Sequence, residues 1–191
     1  MQIAAHLRWM FYRYQVFVLN LFGLQQQTVQ CLRRMQDERP DDLFMLTTLA
    51  HFLGQKADSR VEAISLLRRA ISQDADNPVH HFNLAYLLEQ HGWFIDAESS
   101  FRTALALDEK LDRAWYGLGL VLIQLQRPEE ALQALKRNTE LQPMSPFGWY
   151  QLARLHIDLH EPNKAIEIIR HLQGFEPKIA EQLRRETGLR P

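Results

Sequence analysis

The sequence has very little cysteine and almost no imbalance of charge. Cys31 is the single cysteine among 191 residues, so an internal disulfide is excluded. We expect this thiol to be a small buried side chain rather than a nucleophile. The 22 basic and 23 acidic residues nearly cancel, whereas proteins that neutralise nucleic-acid phosphates carry a clear basic excess. We therefore predict no nucleic-acid partner.

Motifs for nucleophilic catalysis and phosphate binding are also missing. The sequence contains no GxSxG elbow and no GxxxxGK[ST] loop. Gly117 and Gly119 stand close together, but their neighbours have the apolar spacing of a helix, whereas a phosphate loop follows a strand. We predict that the protein is not an enzyme and uses no cofactor.

One long apolar stretch, residues 9–24, is interrupted by polar side chains. A membrane-spanning helix needs about 20 mostly apolar residues, whereas Arg13, Gln15 and Asn20 fall inside this stretch. The opening letters MQIAAH lack the basic start of a secretion signal. We expect a cytoplasmic protein, with contact to a membrane surface retained as an alternative.

A constant spacing of 34 residues, as between positions 115 and 149, runs through the second half of the chain. Identical residues recur at this spacing in six pairs: Trp115 and Trp149, Tyr116 and Tyr150, Leu118 and Leu152, Pro128 and Pro162, Ala131 and Ala165, Pro143 and Pro177. So many coincidences at one period indicate a repeat protein.

Each repeat has the pattern of two helices. Trp115, Leu118, Gly119 and Leu122 lie at i, i+3, i+4 and i+7, which is one face of a helix. Pro128 cannot continue that helix but suits the first turn of the next one. Glycine at position 119 is expected to let the two helices approach closely.

The pattern resembles the tetratricopeptide repeat (TPR) family, whose signature is W-x2-L-G-x2-Y, then A-x3-F, then A and P. Residues 112–145 match it best, through Trp115, Leu118, Gly119, Ala131 and Pro143. The resemblance implies an all-α fold, a right-handed α-α superhelix in which helix-turn-helix repeats form a TPR-like solenoid with a C-terminal capping helix. Within one solenoid, 1–191, it places a degenerate repeat at 9–42, repeats at 43–77, 78–111, 112–145 and 146–179, and the capping helix at 178–187.

The family's first helices line a concave groove, so the resemblance also implies a binding surface. It implies a non-catalytic scaffold or adaptor that binds a peptide or helix of another protein. The implied groove positions are Phe82, Asn83, Tyr86, Tyr116, Leu120, Ile123, Tyr150, Arg154 and Ile157, with Arg13, Phe17, Thr47 and His51 toward the N-terminus. Phe82, Tyr116 and Tyr150 would form an aromatic ladder, which either binds the partner or packs between helices.

Some members of the family recognise chaperone tails through a clamp of groove lysines, arginines and asparagines. Here only Asn83 and Arg154 suit such a clamp, and its lysines are missing. We do not predict chaperone-tail binding.

The N-terminal helix predicts a second surface, the N-terminal interface patch, made of Met10, Phe11, Phe17, Val18 and Leu21. A terminal repeat normally presents a polar outer face, and an exposed apolar patch usually marks an interface. The patch would serve self-association to a homo-oligomer, docking of a partner helix, or attachment to lipid. Alternatively, a longer helix folds back and buries it.

The eight histidines raise an alternative function, a metal- or small-ligand-binding regulator or enzyme on a TPR frame. His156 and His160 are four residues apart and could share one helix face, and His51 is a further candidate. No HExxH pattern or neighbouring cysteine completes a metal site, so we predict no metal.

Overall fold

The computed structural model describes residues 2–189, with side chains from residue 6 onward. Over these residues the secondary structure is entirely helical, which agrees with the predicted all-α class. It comprises a short 3-10 helix, Ala57–Ser59, and eleven α-helices: α1 Gln2–Leu21, α2 Gln25–Glu38, α3 Leu43–Gly54, α4 Arg60–Gln73, α5 Pro78–His91, α6 Phe94–Leu107, α7 Asp112–Gln124, α8 Pro128–Leu141, α9 Pro146–Asp158, α10 Pro162–Gln173 and α11 Pro177–Thr187.

The chain divides into two compact units. Unit 1 ends at Trp93 and contains α1 to α5, and unit 2 begins at Phe94 and contains α6 to α11. Within each unit, most successive helices pack against each other in sequence order. Each repeat proposed from the sequence contains two helices, and the repeat boundaries themselves stay a proposal.

Two helices of unit 1, α3 and α5, begin at polar caps. The Asp42 side chain accepts a hydrogen bond from the backbone N–H of Met45 at 3.0 Å, at the start of α3. Asn77 caps α5 by accepting from the backbone N–H of Val79 at 3.1 Å. These bonds satisfy donors that the first turn of a helix leaves without a partner.

In unit 2, proline begins most helices. Pro128, Pro146, Pro162 and Pro177 open α8 to α11. Proline lacks the N–H that would have no partner in a first turn, and its fixed φ already suits a helix. These four prolines therefore define where α8 to α11 start.

The turn after the first helix uses a left-handed residue in three successive proposed repeats. Gly92, Gln126 and His160 have φ values of +88°, +57° and +59° and occupy the same place in three successive proposed repeats. Glycine takes this conformation freely, whereas glutamine and histidine take it at a cost of about 1–2 kcal/mol. His160 thus occupies a turn position of the repeat.

A side-chain hydrogen bond also recurs in three successive proposed repeats. The indole N–H of Trp115 donates to the carbonyl oxygen of Glu109 at 2.8 Å, and that of Trp149 donates to Pro143 at 2.9 Å. In unit 1, Nε2 of His81 lies 2.8 Å from the carbonyl oxygen of Ala75 and must donate to it. His81 therefore replaces tryptophan without loss of this bond.

Close helix packing in unit 2 explains its internal glycines. A Cβ atom on Gly119 would lie 2.7 Å from Cγ of Leu135, and one on Gly117 would overlap the ring of Phe101. Leu118 between them is only 2% exposed. Both glycines lie within α7, and the expected close approach of α7 and α8 at Gly119 is confirmed.

Four charged side chains join α6 and α8 at the surface of unit 2. Arg127 reaches Glu98 at 2.6 Å and Glu130 at 2.7 Å, and Arg102 reaches both carboxylates at 2.8 Å. The hydrogen bond from Arg127 lowers the pKa of Glu130 below its ordinary value, against a small opposing effect of desolvation. The network therefore favours the ionised carboxylate.

Candidate functional site

A cavity of about 260 Å³ lies between α3 and α5 of unit 1, and we call it the α3–α5 cavity. Its lining residues come from α3, α4, α5 and the residue after α3: Thr47, Ala50, His51, Gly54, Gln55, Arg60, Leu67, Asn83, Tyr86, Leu87 and Gln90. Thr47, His51 and Gln55 are spaced four apart, so they line one side of the cavity together. A Cβ atom on Gly54 would lie 2.6 Å from Cδ2 of Leu87, so glycine here permits the close approach of α3 to α5.

A hydrogen-bond donor without a partner lies in the wall of this cavity. Arg60 donates from Nη1 to the carbonyl oxygen of Gln90 at 2.8 Å, which holds the guanidinium at the wall. Its Nε is buried, and no residue that the structure describes accepts a hydrogen bond from it. The described lining residues include no carboxylate. The cavity therefore suits a group that accepts hydrogen bonds.

A second hollow of about 330 Å³ lies between α1 and α3, and we call it the α1–α3 cavity. It is lined by Arg13, Val16, Phe17, Asn20, Phe44, Thr48 and Phe52. Cζ of Arg13 lies 4.4 Å from the centre of the Phe44 ring, which is the geometry of a cation–π contact. This cavity is lined by three phenylalanines, whereas the α3–α5 cavity has the more polar lining of the two.

The groove residues expected in unit 1 fall around these two cavities. Asn83 is half-buried and Tyr86 is 50% exposed, and both line the α3–α5 cavity with Thr47 and His51. Phe82 is half-buried and lies outside both sets of lining residues. Arg13 and Phe17 meet in the α1–α3 cavity.

The groove residues expected in unit 2 lie on α7 and α9. Tyr116, Leu120 and Ile123 of α7 are half-buried, as are Tyr150 and Ile157 of α9, and Arg154 is exposed. This partial exposure is compatible with both roles expected for the rings, binding a partner and packing between helices. The ladder of Phe82, Tyr116 and Tyr150 stays a prediction.

Tyr150 already has partners within unit 2. Its hydroxyl donates to Oε2 of Glu186 at 2.7 Å, and Nη1 of Arg154 donates to the same hydroxyl at 3.3 Å. The hydrogen bond from Tyr150, followed by one from Gln182, lowers the pKa of Glu186. A ligand of this surface must therefore displace or accommodate the Glu186 carboxylate on α11.

The sequence interpretation missed Arg60, Gln55 and Gln90 of the α3–α5 cavity. Gln55 and Gln90 each follow an expected groove residue, His51 and Tyr86, by about one helical turn, and that spacing could have revealed them. Arg60 begins α4, a second helix of its repeat, so no groove pattern indicates it.

The histidines named for the alternative function do not come together. Nδ1 of the buried His156 lies 2.7 Å from Oε2 of Glu161, and His160 is exposed in the turn that follows. His51 belongs to unit 1 and lines the α3–α5 cavity. Over the residues that the structure describes, no group of three metal-ligating side chains of the His, Cys, Asp and Glu types is found.

The N-terminal interface patch lies on α1 and is largely exposed. Met10 is 56%, Phe11 62%, Phe17 63% and Leu21 69% exposed, while Val18 is half-buried. No part of the described chain covers them. Among the helices described, none has both the length and the apolar character needed to cross a membrane.

Cys31 packs on the opposite side of α1. It is buried, and its thiol lies 3.6 Å from Oε1 of Gln15. Burial raises the pKa of the Cys31 thiol, against a smaller opposing effect of Arg34, so the reactive thiolate is disfavoured. The expected buried, structural cysteine is confirmed.

Comparison with known proteins identifies the family. Residues 82–146 match the family model described as a tetratricopeptide repeat. The fold is similar to a crystal structure of the MamA protein, with a TM-score of 0.79 over 95% of this chain and 96% of that one, at 14% identity. The chain contains tetratricopeptide repeats. The family and the TPR-like fold class predicted from the sequence are confirmed.

The chain is also similar to two further proteins. The TPR protein is 31% identical over 105 residues to the human protein O-mannosyl-transferase TMTC3, and this match covers 54% of the chain but 12% of that relative's length. Its fold is also similar to YrrB, described as a TPR protein with an unusual peptide-binding site. That likeness has a TM-score of 0.66 at 17% identity and covers 82% of this chain and 84% of YrrB.

Proposed function

We propose that this TPR protein is a non-catalytic scaffold or adaptor that binds an extended segment of another protein along the first helices of its repeats. The observation that carries the proposal is the pair of cavities on the two sides of α3 in unit 1. Because α1, α3 and α5 are the first helices of three successive proposed repeats, a segment crossing α3 would meet both cavities in turn.

The α3–α5 cavity would bind backbone carbonyl or carboxylate oxygens of that segment. Its lining offers the amides of Gln55, Asn83 and Gln90 and the guanidinium of Arg60, all of which are donors. Its volume of about 260 Å³ is below the ~300–1,000 Å³ of pockets for drug-sized ligands. This size favours one group of a peptide over a whole small molecule.

The α1–α3 cavity would bind an apolar or aromatic side chain of the same segment. Phe17 is 63% exposed beside it, and large aromatic side chains carry much of the energy of protein interfaces. Arg13 over the Phe44 ring adds a planar surface on which a second ring could stack.

In unit 2 we propose a contact surface formed by Tyr116, Leu120, Ile123, Tyr150, Arg154 and Ile157. There the Tyr150 hydroxyl already donates a hydrogen bond to the Glu186 carboxylate. Binding would replace this hydrogen bond with one to the partner. YrrB supports the proposal, because that similarly folded protein is described as having a peptide-binding site.

We also propose that the N-terminal interface patch contacts protein rather than lipid. Its two arginine neighbours are already engaged: Arg8 pairs with Glu38 at 3.1 Å, and Arg13 lies over Phe44. Amphipathic helices that bind membranes need basic side chains free to meet anionic lipid.

The test measures binding to an immobilised array of random dodecapeptides. Peptides that bind the wild-type chain are resynthesised, and their Kd is measured with the Asn83→Ala/Tyr86→Ala double variant. Val61→Ala is the matched control, because Val61 is 52% exposed in unit 1 and outside both cavities. We expect at least a tenfold weaker Kd for the double variant, about 1.4 kcal/mol, and no change for the control.

Two results would contradict the proposal. One is equal affinity of the wild type and the Asn83→Ala/Tyr86→Ala variant for the selected peptides, with both chains shown to be folded by circular dichroism. The other is an array with no selected peptides at all.

A further inference from the structure

One whole face of α1 is apolar and exposed. Seven large apolar side chains, each more than half exposed, follow one another along it and just past its end: Leu7, Met10, Phe11, Tyr14, Phe17, Leu21 and Phe22. We call this set the outer stripe. The opposite face of α1 is apolar as well, but its Trp9 and Val16 are buried, at 5% and 4% exposure.

The spacing of the outer stripe is that of a helix pairing with another helix. Leu7, Met10, Tyr14, Phe17 and Leu21 are separated by three and four residues alternately. This alternation is the a and d pattern of a coiled coil, which keeps one narrow seam facing a partner helix. The stripe therefore fits a second helix better than a flat surface.

The outer stripe is large enough for a stable interface. With about 200 Å² for each large side chain, the exposed parts of the seven residues present on the order of 900 Å². A standard protein interface hides about 800 Å² on each partner. One helix laid along the stripe would cover an area of this size.

We infer that the partner helix is α1 of a second copy of this chain, packed antiparallel about a two-fold axis near Tyr14. This inference rests on the proposal that the N-terminal interface patch contacts protein, and it names that protein. The stripe runs from residue 7 to residue 22, so its midpoint lies beside Tyr14. In this arrangement Tyr14 meets its own copy at the axis, Leu7 faces Leu21 of the second copy, and Phe11 faces its Phe17.

Charge favours the antiparallel orientation over the parallel one. The helix contains Arg8 and Arg13 but no aspartate or glutamate. Parallel packing would place both arginines beside their own copies, whereas antiparallel packing moves Arg8 to the uncharged end at Leu21 and leaves only Arg13 near its own copy. Antiparallel helices also set their dipoles in opposition, which is favourable.

The test is sedimentation velocity of the full chain across a wide range of concentration, with wild type, Phe11→Glu/Tyr14→Glu and Ile95→Glu. Phe11 and Tyr14 lie outside both cavities of unit 1. Ile95 is the matched control, because it is 75% exposed and lies on α6, outside the outer stripe. We expect the wild type and the control to reach twice the chain mass of 22.5 kDa, and the double variant to stay monomeric.

Three outcomes would overturn the inference. The wild type could remain a monomer at every concentration, or the folded double variant could associate as strongly as the wild type. A wild-type monomer that binds phosphatidylserine vesicles, when the double variant does not, would assign the stripe to lipid. Because the double variant keeps both cavities, its binding to array-selected peptides reports on the proposed function independently.

Discussion

The two units differ in the polarity of their outer faces and in whether polar atoms on the groove side have hydrogen-bond partners. Unit 2 ends in α11, whose exposed outer residues are charged or polar, including Lys178, Glu181 and Gln182. Unit 1 begins with α1, whose outer residues are large and apolar. A polar outer face favours solubility in a stack of repeats, and α11 has such a face whereas α1 does not.

The same contrast extends to the groove side of the first helices. In unit 2, the Tyr150 hydroxyl accepts a hydrogen bond from Arg154 and donates one to Glu186. In unit 1, the α3–α5 cavity contains a buried guanidinium nitrogen for which the described residues supply no acceptor. Our proposal assigns partner binding to these departures from regularity in unit 1.

The largest expected difference is in the free energy of unfolding. It compares a charge placed in the core of unit 2 with a charge placed on the outer stripe of unit 1. Leu118→Asp should lower the free energy of unfolding by roughly 4 kcal/mol or more, because it buries an unpaired carboxylate. Phe11→Asp should change it by about 0.5 kcal/mol or less. Urea denaturation at low protein concentration, where α1 pairing is dissociated, measures both. If Leu118→Asp unfolds like wild type, the helical register is wrong.

The recurring hydrogen bond from His81, Trp115 or Trp149 to a backbone carbonyl oxygen should stabilise both units by similar amounts. Trp149→Phe removes the donor to Pro143 but keeps an aromatic ring, and His81→Phe does the same opposite Ala75. We expect each change to lower the free energy of unfolding by about 1 kcal/mol. Chemical denaturation checks this, and a negligible effect of His81→Phe would show that the imidazole is not equivalent to the indole.

The left-handed turn residue offers a smaller contrast between the units. His160→Gly in unit 2 should raise the free energy of unfolding by about 0.5–1 kcal/mol, because glycine adopts a positive φ without strain. Gly92→Ala in unit 1 should lower it by a similar amount. Thermal melts of the two variants would be expected to move in opposite directions, and a shift in the same direction would argue against the repeated turn.

Acid should weaken the surface networks of both units slightly. The pKa of Glu130 is lowered mainly by its hydrogen bond with Arg127, and that of Glu62 mainly by its hydrogen bond with Arg33. A carboxyl with a lowered pKa in the folded state adds stability above its ordinary pKa of 4.5. That stability is lost as pH falls through 4.5 toward the lowered value.

Glu130→Gln and Glu62→Gln should each flatten the acid side of the stability profile, measured by urea midpoints from about pH 7 to about pH 3. Both pairs are largely exposed, so the effect should be small and should shrink at high salt. An unchanged profile in both variants would show that these pairs contribute nothing measurable.

The repeat could be predicted from the sequence because its determinants recur at one spacing. Trp115, Leu118, Gly119 and Ala131 each have a counterpart one repeat away or a partner within the same repeat. Arg60 and the bond between Tyr150 and Glu186 could not be predicted in this way. Each joins elements that the period does not relate, a second helix to a first helix and a capping helix to a groove helix.

The outer stripe was predicted only in part for a similar reason. Met10, Phe11, Phe17, Val18 and Leu21 were selected as residues outside the assumed core positions, whereas Leu7 and Tyr14 were not. In the structure α1 extends over Gln2–Leu21, which places all of these residues on one continuous helix.

Disulfide cross-linking tests the contrast between the two ends of the chain most directly. Tyr14→Cys places a thiol beside the proposed two-fold axis, and Gln182→Cys places one on the polar outer face of α11. The native Cys31 is buried in both variants. We predict that mild oxidation converts Tyr14→Cys to a covalent dimer and leaves Gln182→Cys monomeric, because a disulfide needs Cα atoms about 5.5–6 Å apart. Equal cross-linking of the two variants, or none with Tyr14→Cys, would contradict the account.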